Sequence, residues 1–226
     1  MKVLVVAPHP DDELLGCGGT LLQYLADGAT LGWIIVTSMT EALGWQPDAV
    51  GRRAAQVEQV RQCLKIEIEN HFQLNFPPSG LDSIPLSEIV GRISGVFESF
   101  APDVVFVPHP GDAHSDHRVS FDAAIACTKW FRSPSIKRVL SYETVSETDA
   151  GLDLTRPFQP TVFYDVSNTI DQKCQLLQIY ESEIDEFPFP RSEKNIRALA
   201  AHRGAQVGFV AAEAFSLLRE RKVFGE

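Results

Sequence analysis

The sequence predicts an α/β fold, a three-layer sandwich with a mostly parallel sheet, and three observations carry that expectation. Val3-Leu4-Val5-Val6-Ala7 and Val104-Val105-Phe106-Val107 are continuous apolar runs rich in β-branched residues, the pattern of strands buried on both faces. Both runs stop at the same punctuation, Pro8-His9-Pro10 after the first and Pro108-His109-Pro110 after the second. Strand-like and helix-like segments alternate along the chain, as parallel strands joined by crossover helices require.

Val3 to Ala7 is the expected central strand. Leu14 to Ala26 reads as a helix, with Leu15, Leu22 and Leu25 in apolar spacing and Asp11, Asp12 and Glu13 at its positive N-terminal end. Leu31 to Val36 is the second strand. Gly51 to Leu64 is a helix that sets Arg53, Gln56, Gln59 and Arg61 around Val57, Val60 and Leu64. Ile66 to Phe76 carries a short strand into a Pro-rich loop, and Ile84 to Phe100 is the next helix. Asp103 to Val107 is a strand, a helix covers about His117 to Phe131, and strands follow near Arg138 to Tyr142 and Thr161 to Asp165. Ile170 to Ile184 and Asn195 to Arg221 read as closing helices, the second broken near Gly204 and Gly208. With no repeat or low-complexity tract, residues 1–226 are expected to form a single domain.

Composition narrows the function classes. A chain of 226 residues that is 44% hydrophobic is neither disordered nor a disulfide miniprotein. Twenty Lys and Arg against 30 Asp and Glu give a formal charge of −10, and no basic run interleaves with aromatics, so no nucleic-acid partner is expected. Cys17, Cys63, Cys127 and Cys174 form no C-x-x-C pair and read as reduced thiols. The apolar stretch after Lys2 ends at Pro8, too short for a signal-peptide core, and no run approaches the roughly 18 apolar residues of a membrane span. A cytoplasmic protein without an integral membrane segment is the expectation. A homo-oligomer is compatible with all of this.

In an open parallel sheet the ligand crevice lies outside the carboxyl ends of the strands, where strand order switches. Pro8-His9-Pro10-Asp11-Asp12-Glu13 and Asp112-Ala113-His114-Ser115-Asp116-His117 both fall there. Two neutral imidazoles and one carboxylate make a three-ligand catalytic zinc site with a fourth position for water, whose pKa the metal lowers to about 7. Asp11 and Asp12 are consecutive, so one can ligate while the other takes a proton. Taken singly, each piece is bland: an acidic helix start, a structural histidine, a solvated loop residue. Their meeting at matching ends of two core strands favours the metal. Gly16-Cys17-Gly18-Gly19 after a strand suggests a dinucleotide turn, but the third glycine of that fingerprint would fall at Leu21, and the glycines follow acids that repel pyrophosphate.

The segment His9-Pro10-Asp11-Asp12-Glu13-Leu14-Leu15-Gly16-Cys17-Gly18-Gly19, together with His114-Ser115-Asp116-His117, resembles the PIG-L/LmbE-like deacetylase family. The likeness extends to Arg53, to Arg203-Gly204 and to Ala212-Glu213-Ala214-Phe215. It implies a Rossmann-like sandwich and a zinc-dependent N-deacetylase, a hydrolase of linear amide bonds that frees acetate and an amine from an N-acetylglucosamine-type small molecule. The resemblance implies His9, Asp12 and His117 as metal ligands, Asp11 as general base, and His114 as oxyanion stabiliser oriented by Asp116. It also implies Arg53 and Arg203 as substrate contacts. Iron(II) is the alternative metal. A thiol-conjugate amidase of the same family, or an iron oxygenase built on two histidines and a carboxylate, are the alternative activities. Gln56 replaces the family's usual acid three residues after the helix arginine, and Thr37-Ser38-Met39-Thr40-Glu41 lacks the usual glycine, so the reaction is better specified than the sugar. The loops from Trp45 to Asp48 and from Asp185 to Arg191 are the expected pocket walls.

Overall fold

The computed structural model describes residues 1–222, so positions 223–226 of the expected domain lie outside the described residues. Its strands are β1 (Lys2–Ala7), β2 (Thr30–Thr37), β3 (His71–Phe76), β4 (Val104–Val107), β5 (Arg138–Tyr142), β6 (Val162–Asp165) and β7 (Ala212–Glu220). The helices are α1 (Asp12–Ala26), α2 (Pro47–Cys63), α3 (Leu86–Phe100), α4 (Ser115–Cys127), α5 (Ile170–Leu177) and α6 (Glu193–Ala205). Among the described residues the strands form one sheet in the order β3-β2-β1-β4-β5-β7-β6. β1 through β5 pair in parallel, and β7 pairs antiparallel with both β5 and β6. β4 rather than β1 occupies the middle of that order.

The period of two in a strand divides the core into two layers. Val3, Val5, Phe106 and Tyr142 face the side covered by α1, α2, α5 and α6, whereas Leu4, Val6, Val105 and Val107 face α3 and α4. That is the expected three-layer α/β sandwich. No helix among the described residues is long and apolar enough to cross a membrane. The four cysteines are free thiols, with only Cys63 exposed.

Three expectations near the C-terminal half need correction. The stretch expected to be helical from Asn195 to Arg221 is helical only as far as Ala205, and Ala212–Glu220 is a strand. Ala, Glu, Leu and Arg favour a helix locally, but β7 has a pairing partner on each side and buries Ala212, Ala214 and Phe215, so tertiary context overrides propensity. α4 stops at Cys127, leaving Trp130 and Phe131 exposed, and α5 stops at Leu177, beyond which the Tyr180 main-chain N–H donates to the Leu177 carbonyl in a turn.

The glycine run has a packing explanation. A Cβ on Gly16 would lie 2.2 Å from the Tyr142 ring of β5, and one on Gly19 would lie 2.8 Å from Val166. These glycines let α1 lie close against the sheet and the loop before α5.

Candidate active site

β1 and β4 are parallel neighbours whose connections leave in opposite directions, β1 toward β2 and β4 toward β5. Their C-terminal ends flank the switch point, and the segments after them meet there. After β1, the Pro8 carbonyl is held by the main-chain N–H and hydroxyl of Thr37 at 3.0 and 2.9 Å. Asp11 then adopts φ 125°, a region that L-residues rarely enter and that costs about 1–3 kcal/mol. Its N–H donates to Glu13 Oε2 at 3.0 Å, and the buried Glu13 is itself anchored by the Tyr180 hydroxyl, which donates to Oε1 at 3.1 Å. The strained turn gives the two consecutive acids different surroundings. Asp12 Oδ2 accepts the His9 N–H at 2.8 Å, while Asp11 Oδ2 accepts from Arg191 Nη1 at 3.0 Å.

After β4, the start of α4 presents His117. Its Nδ1 is 2.8 Å from Asp112 Oδ2, and the other Asp112 oxygen accepts the Thr148 hydroxyl at 2.6 Å. The opposite ring nitrogen, Nε2, is buried and lies 3.3 Å from Asp12 Oδ2 without a hydrogen bond. His9 is arranged alike, with Nε2 3.0 Å from Asp116 Oδ2 and Nδ1 3.4 Å from Asp12 Oδ2. His9, Asp12 and His117 each offer one ligand atom, all within 4.8 Å of one another. The overlapping trio of His9, His114 and Asp116 also meets that distance, but the Asp116 carboxylate is already engaged by the N–H groups of Ser79 and Leu81 at 2.6 and 3.1 Å as well as by His9.

The field at this point favours positive charge. Burial alone would depress both imidazoles, yet Asp116 and Asp12 raise His9 to about 9, and Asp12 and Asp112 hold His117 well above its ordinary value. Asp12, against its burial, is held well below the usual carboxylate range by His117 and His9. A divalent cation satisfies the same field by displacing the imidazole protons. Two nitrogens and a carboxylate oxygen, with a buried Nε2 that has no other partner, fit an ion of the zinc type. Asp11 differs: burial and the Asp12 charge push it up to about 7 against the pull of Arg191.

His114 caps α4, its Nδ1 accepting the Asp116 main-chain N–H at 3.0 Å. The expectation that Asp116 orients it needs amending in its atoms. The Asp116 carboxylate is 4.0 Å from His114 Nδ1 and spends its hydrogen bonds on His9, Ser79 and Leu81. An Nδ1 that accepts leaves the ring proton on Nε2, and burial together with the nearby His9 charge lowers the His114 pKa, so the neutral donor tautomer prevails.

His9, Asp11, Asp12, His114 and His117 line a cavity of about 250 Å³ that also takes in Trp45, Arg53, Glu147, Glu183 and Arg191. Arg53 donates to the Pro10 carbonyl at 3.3 Å, pairs with Glu183 and stacks over the Tyr180 ring. Glu183 lies below the usual carboxylate range, because Arg53 and Arg191 outweigh its burial. Arg203 is not among the cavity residues: its Nε and Nη2 form a two-pronged pair with Glu143 at 2.8 and 2.6 Å beside α6 and β7. Of the two expected loops, Trp45 and Arg191 reach the cavity while Phe187 does not. Asp112, Glu147, Glu183 and the Arg191 contact to Asp11 had no assigned role in the sequence reading. Asp112 was within reach, sitting at the head of the second histidine segment, whereas Arg191 is 180 residues from Asp11 and only folding joins them.

Comparison with known proteins gives three relationships and a family. The model of the family described as PIG-L: GlcNAc-PI de-N-acetylase matches residues 4–128. Diacetylchitobiose deacetylase of Thermococcus kodakarensis is 25% identical over 228 residues, covering 94% of this chain and 81% of that protein. 2'-N-acetylparomamine deacetylase of Streptomyces fradiae is 26% identical over 214 residues, covering 82% of this chain and 74% of that one. The crystal structure of a conserved protein from Thermus thermophilus matches with a TM-score of 0.76 at 27% identity, over 98% of this chain and 96% of the other.

Proposed function

Since the chain belongs to the PIG-L family of GlcNAc-PI de-N-acetylases, we propose that it is a zinc-dependent N-deacetylase of small amino sugars or their conjugates, acting in the cytoplasm. The observation that carries the reading is the convergence of His9, Asp12 and His117 beside the separate carboxylate of Asp11. His9, Asp12 and His117 would hold the ion, which when bound supplies Lewis acidity toward an amide carbonyl and toward water.

The remaining steps belong to the protein. Asp11, poised near 7, takes a proton from the attacking water. His114 donates its Nε2 proton in a hydrogen bond to the oxygen that gains charge as the acetamide carbon becomes tetrahedral. Asp11 then returns its proton to the departing nitrogen, leaving acetate and a free amine. Arg191 keeps Asp11 in place, and Trp45 and Arg53 stand at the cavity where the rest of the sugar would lie.

Acetate release from a panel of N-acetylglucosamine derivatives tests the proposal, before and after chelation and zinc re-addition. Release that disappears with chelator and with Asp11→Asn, while Asp11→Asn still binds zinc, supports the reading. Zinc-loaded protein that releases no acetate across the panel overturns it.

A further inference from the structure

We propose that the cavity selects uncharged amino-sugar substrates and discriminates against those bearing phosphate or carboxylate, because Glu183 already bridges both of its arginines and further carboxylates stand beside them. The inference rests on the deacetylase reading and specifies its substrate class. Arginines in a cleft ordinarily read as anion clamps, since the guanidinium fork matches phosphate and carboxylate. Here both guanidinium groups are already engaged by Glu183. One Glu183 oxygen pairs with Arg53 Nη2 and the other with Arg191 Nη1 at 3.0 Å, and that same Arg191 nitrogen also reaches Asp11 Oδ2 at 3.0 Å. Arg53 Nη1 is turned to the Pro10 carbonyl at 3.3 Å.

A phosphate entering this end of the cavity must either displace Glu183 or lie beside it. Displacement strands a carboxylate whose side chain is 27% exposed, and lying beside it sets two anions against shared cations. Glu147 adds a second carboxylate to the same cavity, and its side-chain hydrogen bond is to the Ser146 hydroxyl at 3.3 Å, not to a cation. Two arginines therefore face two glutamates.

The test compares neutral and phosphorylated ligands on the zinc-loaded protein in two ways. Acetate release gives kcat/KM for N-acetylglucosamine and N-acetylglucosamine 6-phosphate, and calorimetry gives Kd for glucose and glucose 6-phosphate, which carry no amide and cannot turn over. The expected result is at least a tenfold preference for the neutral ligand in both measurements. Glu183→Gln should narrow each preference at least tenfold by freeing the arginines, and Glu183→Asp, which keeps the charge, should retain it. Equal or better use of the phosphorylated ligand by the unaltered protein, or a preference unmoved by Glu183→Gln, overturns the specificity while acetate release upholds the deacetylase reading. Preferential glucose binding with no acetate from any N-acetyl compound does the reverse. No binding and no release overturns both.

Discussion

Asp11 and Asp12 are the same residue type one peptide apart, and the backbone makes them different acids. The positive φ of Asp11, held by Glu13 and Tyr180, gives one carboxylate to Arg191 and the other to the two histidines. The groups behind this pair therefore set its chemistry. Asp112 fixes the His117 ring from the side away from Asp12, so Asp112→Asn should weaken zinc binding by about 10–100-fold, measured by competition with a chelating dye. Unchanged affinity would remove Asp112 from the support of the ligand. Arg191 stabilises the ionised form of Asp11. Arg191→Gln removes that positive charge, raises the Asp11 pKa, and should move the acid limb of the kcat/KM profile to higher pH. A limb that stays or moves down would show that another group governs it.

At the scale of elements, α1 delivers the acidic turn to the site, and a buried ion pair holds it there. α1 is kinked at Cys17, and the N–H groups of Gly19 and Thr20 beyond the kink donate to Glu213 of β7 at 2.9 and 2.7 Å. Lys173 of α5 completes the assembly, bonding Glu213 at 2.6 Å and the Leu15 carbonyl at 2.9 Å with both charged side chains only 5% exposed. Three elements distant in sequence thus converge on one carboxylate. Removing its counter-charge should cost about 3–5 kcal/mol, the range for breaking a buried pair, so Lys173→Met should lower the urea midpoint strongly. The double variant Lys173→Met/Glu213→Gln should recover part of the loss by removing the stranded charge. A Lys173→Met protein as stable as the parent would mean that the pair contributes nothing to α1.

For the whole molecule, stability should follow protons and, on the proposed reading, metal. His71, on edge strand β3, stacks on Trp33 with ring centroids 4.9 Å apart, and burial with the Arg61 charge lowers its pKa to about 4. The unfolded chain, with an ordinary value near 6.5, binds the extra proton first, so this stabilisation is complete above about 6.5, declines as pH falls toward 4, and is absent below. The contribution should fall between pH 7 and pH 5, and His71→Phe should flatten the urea midpoint over that interval relative to the parent. An identical slope in both proteins would place the dependence elsewhere. Zinc that binds the folded chain at 1,000 times its Kd should add about 4 kcal/mol, so chelation should lower Tm, and zinc binding should release protons from His9 and His117 into a weakly buffered solution. A Tm indifferent to zinc would argue against the site being a preformed metal centre.

Much of this was legible in the linear sequence, for a physical reason. A strand buried on both faces must be apolar throughout, so β1 and β4 announced themselves, and the histidines and acids just beyond them fell at the switch point that parallel pairing creates. Local sequence therefore determined the fold class, most helices and the two histidine segments. Tertiary structure alone decided the rest. β7 carries helix-forming residues and is a strand because β5 and β6 each offer it a free edge. Arg203, expected as a substrate contact from the resemblance, pairs with Glu143, while Arg191, expected only as the end of a pocket loop, sits on Asp11. Local propensity and spacing extend over a few residues, whereas which charges meet depends on how distant segments pack, and at this site that packing separates the two acids and binds the arginines to Glu183.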